Sequence, residues 1–119
     1  MSIETIKEIA NNIYNQLGCG HSERIYHNAM EVSLRKRNIQ YESERIGPIV
    51  FEGHTIGNMR ADLIIENNLV VELKSTRNLN QAMNNQAMNY LKLTGIRSGL
   101  LINFPQGDSE TCEFSIVCL

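Results

Sequence analysis

The sequence has no tryptophan, two prolines and three cysteines in 119 residues, and aromatic side chains make up only 6% of it. Cys19, Cys112 and Cys118 are an odd set without CxxC spacing, which speaks against a disulfide framework or a zinc knuckle. A reduced, intracellular setting is therefore the expectation. No apolar run approaches the ~18 residues of a membrane span. The start, Met1-Ser2-Ile3-Glu4-Thr5-Ile6-Lys7-Glu8, lacks the basic-then-apolar order of a secretion signal. Linkers, low-complexity tracts, a P-loop and a dinucleotide fingerprint are missing too. The one repeat, Asn80-Gln81-Ala82-Met83-Asn84 followed by Asn85-Gln86-Ala87-Met88-Asn89, has a short period that matches no solenoid unit. An excess of positive charge is also absent: 11 Lys and Arg against 13 Asp and Glu leave a formal net charge of −2, which by itself speaks against nucleic acid.

What remains is an ordinary globular composition, 42% hydrophobic and 20% charged. One domain over residues 1–119 is expected, burying roughly two thirds of its unfolded surface. Ile6, Ile9, Ala10, Ile13 and Leu17 fall at helical spacing, so a helix is expected over Ile3–Leu17, with Ser2 as its cap and Gly18-Cys19-Gly20 as its break. A second helix is expected over 22–37, with Glu23, Tyr26, His27, Met30 and Leu34 on one stripe; Glu23 is the odd carboxylate on a buried-looking face. Strands are expected at 39–51, 55–65 and 69–75, the first interrupted or at an edge because of Gly47 and Pro48. A third helix at 79–94, stopped by Gly95, precedes strands at 98–104 and 112–118, with a loop at Gly107-Asp108-Ser109. The order α-α-β-β-β-α-β-β is that of a mixed α/β or α+β layered fold.

The informative stretch is the hairpin. If Glu66, Asn67 and Asn68 form a three-residue loop, Ile65 faces Leu69, Leu63 faces Val71 and Ala61 faces Leu73 on an apolar side. The other side then pairs Ile64 with Val70, Asp62 with Glu72 and Arg60 with Lys74. Opposed residues hold their Cβ atoms ~4.5–5.5 Å apart. Two carboxylates so close repel, so either one keeps its proton or a cation sits between them. Oxygen ligands suit a hard divalent ion. The bland alternative is a wet strand face of mixed charges. Glu23 likewise is either a helix-dipole carboxylate or part of a site. Gln86 and Tyr90, four apart, share a face of the third helix with Met83, and a Gln there needs a hydrogen-bond partner. The run Arg35-Lys36-Arg37, with Arg24 and Arg45, is the best basic cluster. His21 and His54 are further ligand candidates.

Gly20-His21-Ser22-Glu23-Arg24-Ile25-Tyr26 reads G-x-x-E-x-x-Y. With Asp62, Glu72-Leu73-Lys74 and Gln86-Ala87-Met88-Asn89-Tyr90 (Q-x-x-x-Y), it resembles the GxxExxY family of small proteins, part of the PD-(D/E)xK nuclease-like superfamily. The likeness runs from about residue 6 to 104. It implies an αβββαβ core with a central mixed sheet flanked by helices, and cleavage of nucleic-acid phosphodiesters, with DNA the expected substrate, using Mg²⁺ or Mn²⁺. Asp62 and Glu72 would be metal ligands, with the Leu73 carbonyl a third and Glu23 completing or supporting the site. Lys74 would position or deprotonate the attacking water. Gln86 and Tyr90 match a motif of RecB-like and lambda-exonuclease-like relatives that orients the site and contacts substrate; Arg60, Arg24 and Tyr26 are the further candidates for substrate contact. Two departures stand out. Ala61 replaces the Pro of the superfamily name, and Met83 stands where many family members carry a His. The alternatives are a catalytically silent nuclease fold that binds nucleic acid or a protein, and, more remotely, action on a small phosphate compound. A homodimer is expected, since so small a nuclease needs a second subunit to surround a duplex. No membrane partner is expected. A metal site would absorb part of the acidic charge, so the −2 does not exclude such a function.

Overall fold

The computed structural model describes residues 1–107 and 109–119; Asp108, in the expected 107–109 loop, lies outside the described residues. The apolar stripe of α1 (Ile3–Leu17) is buried through Ile6, Ile9, Ala10 and Ile13. Its start is capped by Ser2, whose hydroxyl accepts the Thr5 N–H at 3.2 Å, and it ends at Gly18, where φ is 75°. The second helix, α2 (Glu23–Lys36), buries Tyr26, His27, Met30 and Leu34, the stripe its spacing requires. Glu23 is the exception. It is exposed at the helix start.

Strands β1 (Tyr41–Phe51) and β2 (His54–Ile65) form a long antiparallel ribbon closed by Glu52-Gly53. Both turn residues have positive φ, 49° and 81°, the backbone a two-residue hairpin turn requires. β1 is an edge strand, as Pro48 demands, and its register shifts between Ile49 and Val50. Then come β3 (Leu69–Lys74), α3 (Gln81–Thr94), β4 (Ser98–Asn103) and β5 (Glu113–Cys118). The sheet order is β1-β2-β3-β4-β5, antiparallel throughout except β3 with β4, which α3 joins as a crossover. Asn80 caps α3 by accepting the Met83 N–H at 2.9 Å, and Gly95 ends it with φ 77°.

Two apolar layers result. One lies under α1 and α2 and takes Leu63, Ile65, Leu69, Val71, Leu73, Leu100, Ile102 and Phe104 from the sheet. The other lies under α3 and takes Ala61, Ile64, Val70, Leu101 and Val117. This corrects the expected hairpin. The pairs Leu63–Val71, Ile64–Val70 and Ile65–Leu69 form as the three-residue loop requires, but the β2–β3 ladder ends there. Ala61 therefore does not face Leu73. It turns to the α3 side together with Met59, because β2 changes side between Ala61 and Leu63. The partner strand is irregular at the same level: the ladder runs Ser43–Leu63 and Arg45–Ala61, and Glu44 between them has a φ of 57°. No helix among the described residues is long and apolar enough to cross a membrane.

Candidate active site

Alternation along β3 sends Leu69, Val71 and Leu73 into the layer under α1 and α2, and Val70, Glu72 and Lys74 to the other side. Val70 is covered by α3; Glu72 and Lys74, further along, are only half-buried. They line a cleft of about 440 Å³ together with Asp62, Glu23, Arg60, Gln86 and Tyr90. The expected cross-strand opposition of Asp62 with Glu72 and of Arg60 with Lys74 is not how these residues meet, since β2 and β3 have separated by this level. In place of a ladder bond, the Leu73 N–H donates to Oδ2 of Asp62 at 2.7 Å. The Asp62 carboxylate thus spans the gap and is fixed by it. Strand alternation turns the Leu73 carbonyl into the same gap.

The two carboxyls are still close enough to perturb each other. Glu72 is pushed up to about 9, first by burial, then by the negative charge of Asp62 and the hydrogen bond between the two carboxyls; the Lys74 ammonium pulls the other way. At neutral pH and without a cation, Glu72 keeps its proton.

The gap opens toward the start of α2. A smaller cavity of about 110 Å³ lies between Glu23, Arg24, His27, Arg60, Asp62 and Leu73, so Glu23, Arg60 and Asp62 line both spaces. Glu23 therefore reaches the site as an exposed rim residue, not as the buried carboxylate that its stripe suggests. Gln86 is likewise exposed, at the rim contributed by α3, and is not on a packed face. Tyr90, one turn on, is buried, and its hydroxyl donates to the Arg45 carbonyl at 3.2 Å; burial pushes its phenol above the ordinary value. Arg60 is exposed at the cleft.

One expected substrate contact is corrected, and another is found in an ion pair. Tyr26 is fully buried, stacks on Phe104 with ring centroids 4.1 Å apart, and donates its hydroxyl to the Gly18 carbonyl at 2.6 Å. It builds the core and the loop before α2, and no surface of it is left for a substrate. Arg24 is exposed, but its guanidinium is paired with Glu44, whose carboxyl it holds below the usual range. Two further members of the expected basic cluster are also paired. Arg35 pairs with Glu31 and donates to the Tyr41 hydroxyl, and Arg45 pairs with Glu42. His21 bonds the Leu17 carbonyl at 3.0 Å. His54 stands at the far end of the ribbon, eight residues along β2 from Asp62, or ~27 Å at strand spacing.

Asn58, Met59 and Ile46 also line the cleft and were not anticipated. For Asn58 the signal was present. Asn58, Arg60 and Asp62 alternate along one strand, and Ile46 follows from its pairing with Arg60.

Comparison with known proteins bears on this arrangement. The fold is similar to a solved structure described as "Crystal structure of SSO0001", with a TM-score of 0.60 and 22% identity over 80% of this chain and 48% of that one. The chain thus spans about half the length of that structure, and likeness at this identity speaks for the fold alone. Comparison with the curated proteins finds no significant match. Residues 2–114 match the family model of the PD-(D/E)XK nuclease superfamily, nearly the whole chain. With this match, and with a mixed five-stranded sheet between helices that gathers Asp62, Glu72 and Lys74 in one cleft, the chain belongs to the PD-(D/E)XK nuclease superfamily.

Proposed function

We propose that the chain is a divalent-metal-dependent nuclease of the GxxExxY type, a single domain that hydrolyses nucleic-acid phosphodiesters, with DNA as substrate. The observation that carries this reading is the Asp62–Glu72 pair, with Lys74 beside it, in a cleft lined by Glu23, Arg60 and Gln86. A shared proton or a cation is what holds such a pair together.

The donors fit the expected ions. Asp62, Glu72 and the Leu73 carbonyl are all oxygen ligands, the set a hard cation such as Mg²⁺ or Mn²⁺ takes. No group of three or more His, Cys, Asp or Glu among the described residues is placed to hold an ion. Two carboxylates with water and substrate phosphate are the usual holding of Mg²⁺, so this is no obstacle. Glu23 then supports the site from the α2 side. When bound, such an ion makes a water more acidic and offsets charge on the phosphate.

The chain's own residues do the rest. The Leu73 N–H holds one Asp62 oxygen and thereby orients the other toward the cleft. Lys74 sets a positive charge beside the scissile phosphate and orients the attacking water. Arg60 takes a neighbouring phosphate, and Gln86 positions the substrate from the α3 rim. Tyr90, fastened to β1 through Arg45, keeps that rim in place. A fold of this size covers one side of a duplex, so the reading includes a homodimer. Two exposed free thiols, Cys19 and Cys118, suit a reducing compartment.

One observation favours a second reading. Met83, packed against the apolar layer under α3, stands where many relatives carry His, and a silent fold would still bind nucleic acid. The deciding assay follows cleavage of linear, circular, single- and double-stranded DNA and of RNA with Mg²⁺ or Mn²⁺. Asp62→Ala and Lys74→Ala should each lose about 100-fold or more. Activity surviving both substitutions overturns the assignment. Nucleic-acid binding with neither calorimetric Mn²⁺ binding nor cleavage establishes the silent module.

A further inference from the structure

The start of α2 carries Glu23 but is not held by its own cap: Ser22 is the N-cap residue, and its side chain makes no capping bond. Preference alone would have Ser22 accept an N–H from the first turn. The segment is fastened from outside instead. The Tyr26 hydroxyl accepts the His21 N–H at 3.4 Å while donating to Gly18. The Ser75 hydroxyl donates to the His21 carbonyl at 2.9 Å, across 54 positions of sequence.

Ser75 is the residue after Lys74, and its own position is fixed. Its carbonyl accepts Nε2 of Gln106 at 2.9 Å. The next residue, Thr76, donates its N–H to Oδ1 of Asn103 at 2.9 Å, and its carbonyl accepts Nδ2 of Asn103 at 3.1 Å. Asn103 is fully buried and sits beside Lys74 in the β3–β4 register, so this anchor moves with the strand that bears Glu72 and Lys74. The Ser75–His21 bond is therefore a strut. One end is fixed to the strand of Glu72 and Lys74, and the other holds the chain two residues before Glu23.

We infer that Ser75 is a positioning residue that sets Glu23 against the Asp62–Glu72 pair. This rests on the nuclease reading above for its catalytic consequence, though not for the strut itself. Groups that orient a metal-site residue typically cost 10–100-fold in affinity or activity when removed. Ser75 acts through Glu23, so its removal adds nothing once Glu23 is neutralised.

The test compares wild type, Ser75→Ala, Ser75→Thr, Glu23→Gln and the Ser75→Ala/Glu23→Gln double variant. Three readouts are followed: amide hydrogen exchange of residues 25 and 26, Mn²⁺ affinity by calorimetry, and cleavage rate. Ser75→Ala should exchange these amides about fivefold faster or more, as loss of one hydrogen bond implies. It should weaken Mn²⁺ binding and cleavage about tenfold, and Ser75→Thr, which restores the hydroxyl, should recover all three. In the Glu23→Gln background the same change should cost nothing further in metal binding or cleavage. Unchanged exchange in Ser75→Ala overturns the strut. Losses that multiply with those of Glu23→Gln overturn its action through Glu23. If wild type neither binds Mn²⁺ nor cleaves, the nuclease reading falls, and the exchange result alone upholds or overturns the strut.

Discussion

Glu72 keeps a proton that an exposed glutamate gives up, and this makes its carboxyl a handle on the whole site. Its value in the folded chain is raised from 4.5 to about 9, so between those pH values the folded state holds one proton more than the unfolded state. The sign follows: the stabilisation is fully present below about 4.5 and is lost as pH rises through about 9. Urea unfolding in the presence of a chelator should therefore show stability falling across that window, and Glu72→Gln should flatten the fall. Adding Mn²⁺ at pH 7 should release close to one proton, measurable by calorimetry in buffers of different ionisation enthalpy. Tyr26 makes the opposite case at this scale. The G-x-x-E-x-x-Y spacing was legible and correctly put Tyr26 one turn from Glu23, but spacing cannot say that the phenol stacks on Phe104 in the core. Tyr26→Phe should cost about 1 kcal/mol of stability through the lost bond to Gly18.

At the scale of elements, the helices and strands were readable because each has one buried face, which imposes a period of 3.6 or 2 on the apolar residues. The hairpin register was readable for the same reason, since a one-residue slip would have buried charge. What could not be read is the change of side at Ala61–Leu63. It depends on the positive φ of Glu44 in the neighbouring strand and on the parting of β2 from β3, neither of which is written in a local pattern. Glu23 and Gln86 were assigned to the correct helix faces and the wrong burial. A stripe gives direction, whereas burial depends on whether another layer continues opposite, and at both rims it stops. The helix caps give a contrast that unfolding titrations can check. Asn80→Ala should cost about 1 kcal/mol, because Asn80 accepts the Met83 N–H, whereas Ser22→Ala should cost no more than a few tenths, having no cap bond to lose.

Over the whole molecule, a net charge of −2 conceals an uneven distribution. Glu23, Asp62 and Glu72 gather three of the 13 acidic residues around one cleft, while Arg24, Arg35 and Arg45 are each paired with another glutamate. Binding should therefore depend on divalent ions at the cleft and weaken with salt in proportion to the phosphates that the remaining cations neutralise. Arg60 lines the cleft and has the clearest approach to a phosphate. Arg60→Ala should lower the slope of log affinity against log salt by about one, whatever the sequence of the nucleic acid, as read by fluorescence anisotropy titrations.

The short seam between β2 and β3 has a mechanical meaning. Only three residue pairs, Leu63–Val71, Ile64–Val70 and Ile65–Leu69, zip the ribbon of β1 and β2 to the sub-sheet of β3, β4 and β5, and below them the sheet is split. A split sheet is a crack arrested at its tip, and the acidic pair stands just past that tip, one member on each lip. The opening is bridged by the Asp62–Leu73 bond and by the contact between the two carboxyls. Whatever fills the crack also ties together two parts of the sheet that the backbone joins at those three pairs.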